Sequence, residues 1–576
     1  MTIRAFVACG VFTLATTCAP AQSAAPPPPP PAAVAPTPAD AAPASTGPAT
    51  AAFEVADVHA SPFDRNRFVY GNETGNLDGD RYIWREATMT QLVAAAYNQQ
   101  PPNVQGGPGW LDWDRFDIEA KTSPTASKAD IQLMLQSLLK QRFNLVVHTG
   151  SAPMPVYVLT TQPGKSKLKE SDGTGDSGCK SQPLSGPPAP DVIPQFVLAC
   201  HNETMEQFAG FLRGAISGPM VFRSGPAPYV KPVIDSTGLT KSYDFDFKVT
   251  PFQLLARAGP DGISVFDAVD KQLGLKLALG TEHQPALIVD SVNETPTPNA
   301  PDLAMRMPPL PPLQFDVAVI KPSQPDEWIS HTIRGDREEW HAITMKDHIR
   351  NIFDINYTDD ASMAGDPKWL GDDRFDILAR IPTGNSQDSS RPPQVRQEEI
   401  KQMLQALLED RFKFKYHWEN RPLDAWHLAA ANPRLTPADP KARTQCVEGP
   451  GPDGKDPRLT NPMLNRLVTC QNVTMEQFGI LLQTLGYEES IYSQVADDTG
   501  LKGSYSFTLS FTGGGLNRPW GGPRTSATEG PAQASDPVDT VSLANALKNQ
   551  LGLKLEKEKR PLPVLVIDHI EEPTAN

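Results

Sequence analysis

The run Ile131 to Phe143, IQLMLQSLLKQRF, returns without a gap as Ile400 to Phe412, IKQMLQALLEDRF. Ile131, Met134, Leu135, Leu138 and Leu139 fall at i, i+3, i+4, i+7 and i+8. That spacing draws one apolar stripe along a helix, and the stripe must pack on the rest of a domain. Further on, Cys200-His-Asn202-Glu-Thr204-Met205-Glu206-Gln207-Phe208 returns as Cys470-Gln-Asn472-Val-Thr474-Met475-Glu476-Gln477-Phe478. The chain is written twice, so chemistry required by the fold should appear in both copies.

Working outward, copy one spans 52–299 and opens at Phe53-Glu-Val55, while copy two spans 314–576 and opens at Phe315-Asp-Val317. The Pro-rich stretch 300–313 between them reads as a short, stiff linker. Each copy opens on a strand and enters a helix at Thr88-Met89 or Thr344-Met345. A strand is expected over Trp110 to Ile118, matched by Trp369 to Ile377, and the main helix follows, its negative end complemented by Arg142 or Arg411. Thr204 with Gln207, and Thr474 with Gln477, form capping boxes for the next helix. Gly238 and Gly500 mark turns, alternating strands start at Tyr243 and Tyr505, and a last helix runs from Ser264 to Gly274 or from Ser542 to Gly552. Closing strands are expected at Leu287–Asp290 and Val564–Asp568, with the charged run Glu556 to Arg560 as a solvated hairpin connection. The repeated Thr-Met start points to two related half-units in each copy. The fold class is α+β: tandem duplicated domains, each with a mostly antiparallel sheet and three to four amphipathic helices.

Lys and Arg total 52 against 67 Asp and Glu, a net charge of −15. With no compensating basic stripe, nucleic acid is excluded as a partner. No apolar run reaches the roughly 18–20 residues that span a bilayer. Residues 1–21 read as a signal peptide, with Arg4 ahead of an apolar stretch to Thr17 and small residues at Ala19-Pro20-Ala21. Cys18 leaves a lipoprotein route open. Residues 22–51, rich in Pro and Ala, form a spacer with almost nothing to bury. The expected location is the bacterial periplasm or the exterior.

Two of the six cysteines lie in the signal. The rest pair as Cys179–Cys200 and Cys446–Cys470, because each pair brackets a loop before the same capped helix. Each bridge closes a loop worth about 3 kcal/mol in an oxidising compartment. A four-Cys zinc site is disfavoured, since no pair has ligand spacing.

Asp112, Asp114 and Asp117 invite a calcium or acid/base reading, but the matched Asp372, Asp373 and Asp376 change the spacing. Pairing with Arg115 or Arg374 is the expectation. His148 and His417 are the matched histidines and read as strand residues. His341 and His348 have no histidine counterparts and no HExxH motif. Gly513 to Gly522 lacks the Lys-Ser/Thr ending of a phosphate loop, although Trp520 within it offers an anchor for a partner or glycan. The sequence therefore assigns no catalytic, cofactor-binding or metal residue.

Several phrases together carry a family likeness: FDVA-I-KPS at Phe315 to Ser323, GGPxWL…RFDI at Gly106 to Ile118, the ML..LL..RF helix and the TM.QF cap. DxTGLxxxYDF at Asp235 to Phe247 and the close at Leu551 to Asn576 complete the set. Both copies resemble the soil-associated, acidobacterial-type extracytoplasmic domain family of unknown function. The resemblance implies secreted or periplasmic placement. In some members the domain follows a membrane metallopeptidase of the antirepressor type, which implies sensing or regulation. The expected role is a non-catalytic binding or scaffold protein whose partner is an extracytoplasmic protein or glycan. The alternatives are a hydrolase with a site between the copies, using His341 and Asp347, or a sensor ectodomain acting through a membrane partner.

Overall fold

Thr88, Thr204, Thr344 and Thr474 each stand at a helix entry, where the hydroxyl accepts the N–H of Gln91, Gln207, Asp347 or Gln477. The methionine after each threonine, Met89, Met205, Met345 and Met475, is fully buried. Cap and anchor recur four times, and so does the whole local fold. In this computed structural model the described residues run from 52 to 573. They omit 63–74, 183–194, 218–230, most of 251–260, 310–312, 383–392, 487–490, 492–494, 514–540 and a few single or paired positions. The signal and spacer, Trp520 and most of the Gly-rich run lie outside them.

Copy one begins with β1 (Val55–Ala60), β2 (Asn76–Asp78) and β3 (Arg81–Thr88), then α1 (Met89–Ala96), β4 (Val104–Gly106), β5 (Arg115–Lys121), α2 (Lys128–Phe143) and β6 (Val146–Thr161). Its second half repeats that order. There follow β7 (Lys169–Glu170), β8 (Gly178–Ser181), β9 (Phe196–Thr204), α3 (Met205–Ser217), β10 (Val233–Asp235), β11 (Ser242–Val249), α4 (Val265–Asp267, continued by a π turn to Gln272) and β12 (Leu275–Ser291). The sheets are ordered β1-β5-β3-β2 and β7-β11-β9-β8, so the halves match strand for strand. The third sheet, β10-β6-β12-β4, reads the same when the halves are exchanged. Each half thus lends a short strand to the other, β4 pairing with β12 and β10 with β6.

Linker helix α5 (Leu303–Arg306) leads to copy two. Its elements are β13 (Val317–Pro322), β14 (Ser330–Arg334), β15 (Arg337–Thr344), α6 (Met345–Ile352), β16 (Met363–Ala364), β17 (Arg374–Arg380), α7 (Pro393–Arg411) and β18 (Lys415–Ala430). The second half holds β19 (Thr436–Pro437), β20 (Gln445–Glu448), β21 (Arg466–Thr474), α8 (Met475–Leu485), β22 (Ala496–Asp497), β23 (Ser504–Phe511), α9 (Leu543–Ala546) and β24 (Leu553–His569). Its three sheets repeat the orders of copy one. The tandem α+β class is therefore as expected from sequence.

Four apolar cores result, one for each half-unit. In the first, Leu135, Leu138, Leu139 and Phe143 of α2 pack with Trp84, Phe116 and Ile118 of the sheet and with α1. Strand exchange stitches the cores together, because β6 contributes Tyr157 and Leu159 to the second core while β12 returns Leu287 and Val289 to the first.

Four expectations are corrected. The closing strands are not short: β12 and β24 are 17 residues each and pair along their length with β6 and β18. Glu556 to Arg560 lies inside β24, opposite His427 to Leu423, and is no hairpin connection. The run holds no turn-forming residue, and the middle of a two-stranded ribbon offers water to both faces, so charges fit there. Trp110 to Asp112 and Trp369 to Asp372 are helical turns, and the strands start only at Arg115 and Arg374. Arg142 reaches across to the carbonyls of Ala56, Val58 and Thr297 and to Asn299, which satisfies the β1 edge more than its own helix end.

Candidate functional site

Just before each threonine cap the strand bulges. The residue two positions ahead, Glu86, Asn202, Ala342 or Asn472, has φ between 46° and 54° in all four half-units. The ladder register shifts at the same place each time. A left-handed residue turns its N–H out of the ladder, and a buried N–H needs an acceptor. The acceptor comes from the neighbouring strand: Asp117, Asp244, Asp376 or the Ser506 hydroxyl. The aspartate of the RFDI and YDF phrases is thereby a bulge clamp. Asp117 and Asp376 are reached a second time by Ser61 and Ser323, each at 2.6 Å.

The bulge also swings the preceding side chain towards the clamp. Arg85 lies 3.9 Å from Asp117, His201 4.0 Å from Asp244 and His341 3.6 Å from Asp376. In the fourth half-unit Gln471 precedes the bulge, and the clamp is the uncharged Ser506. A second basic side chain completes the pattern, His59 beside Asp117 at 3.7 Å and Lys321 beside Asp376 at 3.2 Å. One imidazole and one permanent cation thus flank each of these two carboxylates, with their positions interchanged. Burial opposes the charge on Asp376, but the hydrogen bonds from Ser323 and the Ala342 N–H and the Lys321 ammonium hold its carboxyl below the usual range.

Copy two adds Glu327, whose carboxylate lies 3.1 Å from His341 Nδ1, making a Glu327–His341–Asp376 cluster with the donor types of a metal site. The Lys321 ammonium beside Asp376 already supplies the cation, and the same carboxylate-cation pairing in copy one is a property of the fold. A second cluster, His427, Asp498 and Glu558, has Arg560 bonded to both acids. These groups hold neighbouring strands together.

Other singled-out residues have equally structural settings. His148 pairs with Asp290 at 2.9 Å and His417 with Asp568 at 2.8 Å, matched cross-strand pairs on exposed ribbons. His348 is buried against Trp340, and desolvation, then the charge of His331, drives its pKa to about 3, so it stays neutral. Asp347 is bound into the first turn of α6, donating its N–H to Thr344 and lying 3.7 Å from Arg350. It is no member of the His341 cluster, and Glu327 and Asp376 both belong to copy two, so this pair forms no site between the copies. Cys179 is bonded to Cys200 and Cys446 to Cys470, each directly opposite its partner on adjacent strands.

The copies, which belong to one compact unit, meet in part through Arg443, a residue without a sequence signal. Arg443, three residues before Cys446, donates to the carbonyls of Val104 and Gly106 and to Thr90, and pairs with Asp112 at 2.6 Å. Thr444 N–H donates to Gly109 O at 2.9 Å. The Asn472 amide holds this loop by donating to Ala442 O, so bulge, disulfide and inter-copy contact are one assembly. Nothing local marks Arg443 in the sequence, because its partners are over 300 positions away.

The outer face of sheet β13-β17-β15-β14 differs from its counterpart in copy one. Val317 and Val319 of β13 and Leu378 of β17 lie on it, where copy one has Val55, Asp57 and Glu119. Trp328, 88% exposed, and Ile329 follow in the loop before β14. Glu327 of that loop is the group that reaches His341 on this face. The fold and its recurrent clamps thus define a tandem, disulfide-clipped α+β protein whose matched polar residues shape backbone.

The chain belongs to the family described as Protein of unknown function (DUF3738), whose model matches residues 90–292 and 346–570, more than half of its length. The matched regions are two tandem copies, and each starts in the first helix of its copy. Neither a curated protein nor a solved structure matches the chain. No helix among the described residues is long and apolar enough to cross a membrane.

Proposed function

We propose that this protein is an exported, non-catalytic binding protein that recognises a partner protein through the outer face of the β13-β17-β15-β14 sheet. One observation carries the reading. Of the nine large apolar side chains exposed among the described residues, Val317 and Val319 stand two positions apart on this face, and Trp328 and Ile329 lie in the loop that follows β13. Exposed apolar side chains gathered on one face mark interaction surfaces, whereas scattered ones do not. The bulge clamps favour binding over catalysis, since the recurring carboxylates are engaged in holding backbone. Export is supported by the signal pattern and by two disulfides, which persist outside the cytoplasm. The bounds 52–299 and 314–576 belong to the same proposal. Of the strands ahead of each family match, β1, β3, β13 and β15 hydrogen-bond to strands inside it.

Photo-crosslinking from position 328 in the native exported chain tests the reading. It should capture one extracytoplasmic protein, and Val319→Asp should abolish that capture without changing the thermal midpoint. Capture that is absent, or indifferent to Val319→Asp, rules the face out.

A further inference from the structure

Copy one shows what this kind of face accepts. Its edge strand β1 is not bare, because the linker helix α5 lies along it. Arg306 donates to Glu54 O just ahead of β1, and Arg81 of the same sheet donates to Pro308 O beyond α5. Val55 and Met307 are both buried as a result, at 6% and 7% exposed, and Leu303 is half-buried. Arg81 is paired with Lys121 in the ladder and bonded to Glu119, so the segment 303–308 crosses the outer face.

The equivalent face of copy two carries no such cover among the described residues. Val317, the counterpart of Val55, is 59% exposed. Arg337 stands exposed where copy one has Arg81, paired in the ladder with Arg380 as Arg81 is with Lys121. Where copy one presents Asp57 and Glu119, copy two presents Val319 and Leu378, and Glu339 replaces Ile83 on the next strand, so the β13–β17 part of its face is the more apolar of the two. A segment that seats on β1 through Leu303 and Met307 meets more apolar surface on β13, and burying it is favourable at about 25 cal/mol per Å².

We infer that the β13 face is a docking site for a short helical segment of the α5 type. Such a segment carries Leu or Met side chains one turn apart, and a carbonyl beyond its last turn meets the Arg337 guanidinium. The inference rests on the proposed binding role and names the chemistry of the partner. Trp328 and Ile329 stand exposed on the loop that reaches this sheet through Glu327 and His341.

The probe is a labelled peptide of residues 300–309, titrated by fluorescence anisotropy into the exported chain with its disulfides intact. Saturable binding is expected. Val319→Asp in the protein, or Met307→Asp in the peptide, should weaken it at least tenfold, and Arg337→Ala by a smaller factor. Circular dichroism of each variant keeps loss of fold apart from loss of docking. Absence of saturable binding, or binding unchanged by Val319→Asp, overturns the inference. Sedimentation showing self-association abolished by Val319→Asp also overturns it, by seating a second copy there. A protein captured from position 328 while the peptide fails to bind leaves the binding role standing and removes only the α5-type segment.

Discussion

Asp376 shows how a residue that looks catalytic in sequence is used up by backbone. Its carboxylate accepts from Ala342 N–H and Ser323 and faces Lys321 and His341. Asp376→Ala strands a buried N–H and leaves the Lys321 ammonium without its counter-charge, which should cost roughly 3 kcal/mol in urea unfolding. Asp244→Ser should cost less than about 1 kcal/mol, because Ser506 already performs the same clamp with a hydroxyl in the fourth half-unit. Equal losses for the two variants would contradict the clamp. Because the folded pKa of Asp376 is depressed, its contribution is present above the ordinary carboxylate range and is lost as pH falls through the folded value.

His417 behaves in the opposite sense. The hydrogen bond to Asp568 raises its pKa, with the charges of Asp568 and Glu419 adding to this. The pair's contribution is complete below the unfolded imidazole value, about 6.5, and fades as pH rises through the folded value. An NMR titration of His417 should show a midpoint above the ordinary value, returning towards it in Asp568→Asn. A midpoint at or below the ordinary value in the parent chain would contradict the pairing.

At the scale of elements, the helix stops were legible and the long strands were not. Gly274 and Gly552 end their helices at φ 69°, as Leu-Gly-Leu implies. A Cβ on Gly552 would lie 1.7 Å from Asn432 O, so no relaxation confined to a side chain can admit it. Gly552→Ala should cost roughly 2–4 kcal/mol, from left-handed strain plus overlap with backbone, measured by thermal or urea unfolding. A near-neutral result would show that the helix ends differently. The four threonine caps were legible because a cap is a local contract between residues three apart. The β18–β24 ribbon escaped reading because alternation fails where both strand faces are wet, and Glu556 to Arg560 then looks like a loop.

At the scale of the whole molecule, four half-units are joined twice over, by strand exchange within each copy and by contacts between copies that include those of Arg443. Arg443→Met removes donors to Thr90, Val104 and Gly106 and leaves Asp112 without its partner. The loss should be about 3 kcal/mol, and calorimetric unfolding should split into two transitions as the copies uncouple. A single transition at the parent midpoint would show that other contacts hold the copies. The proposed docking face belongs to this scale too, since what distinguishes β13 from β1 is a cover supplied by the linker.

The duplication, the order of the elements, the caps, the glycine stops and the choice of cysteine partners were legible in the sequence alone. All of these depend on residues close together in the chain or repeated along it. That Asp117, Asp244 and Asp376 clamp bulges, that Arg443 bridges the copies, and that one of two equivalent sheet faces has no cover among the described residues came from the three-dimensional fold. Those outcomes depend on which backbone N–H turns out of its ladder and on what crosses a face from elsewhere, and neither is written in local spacing.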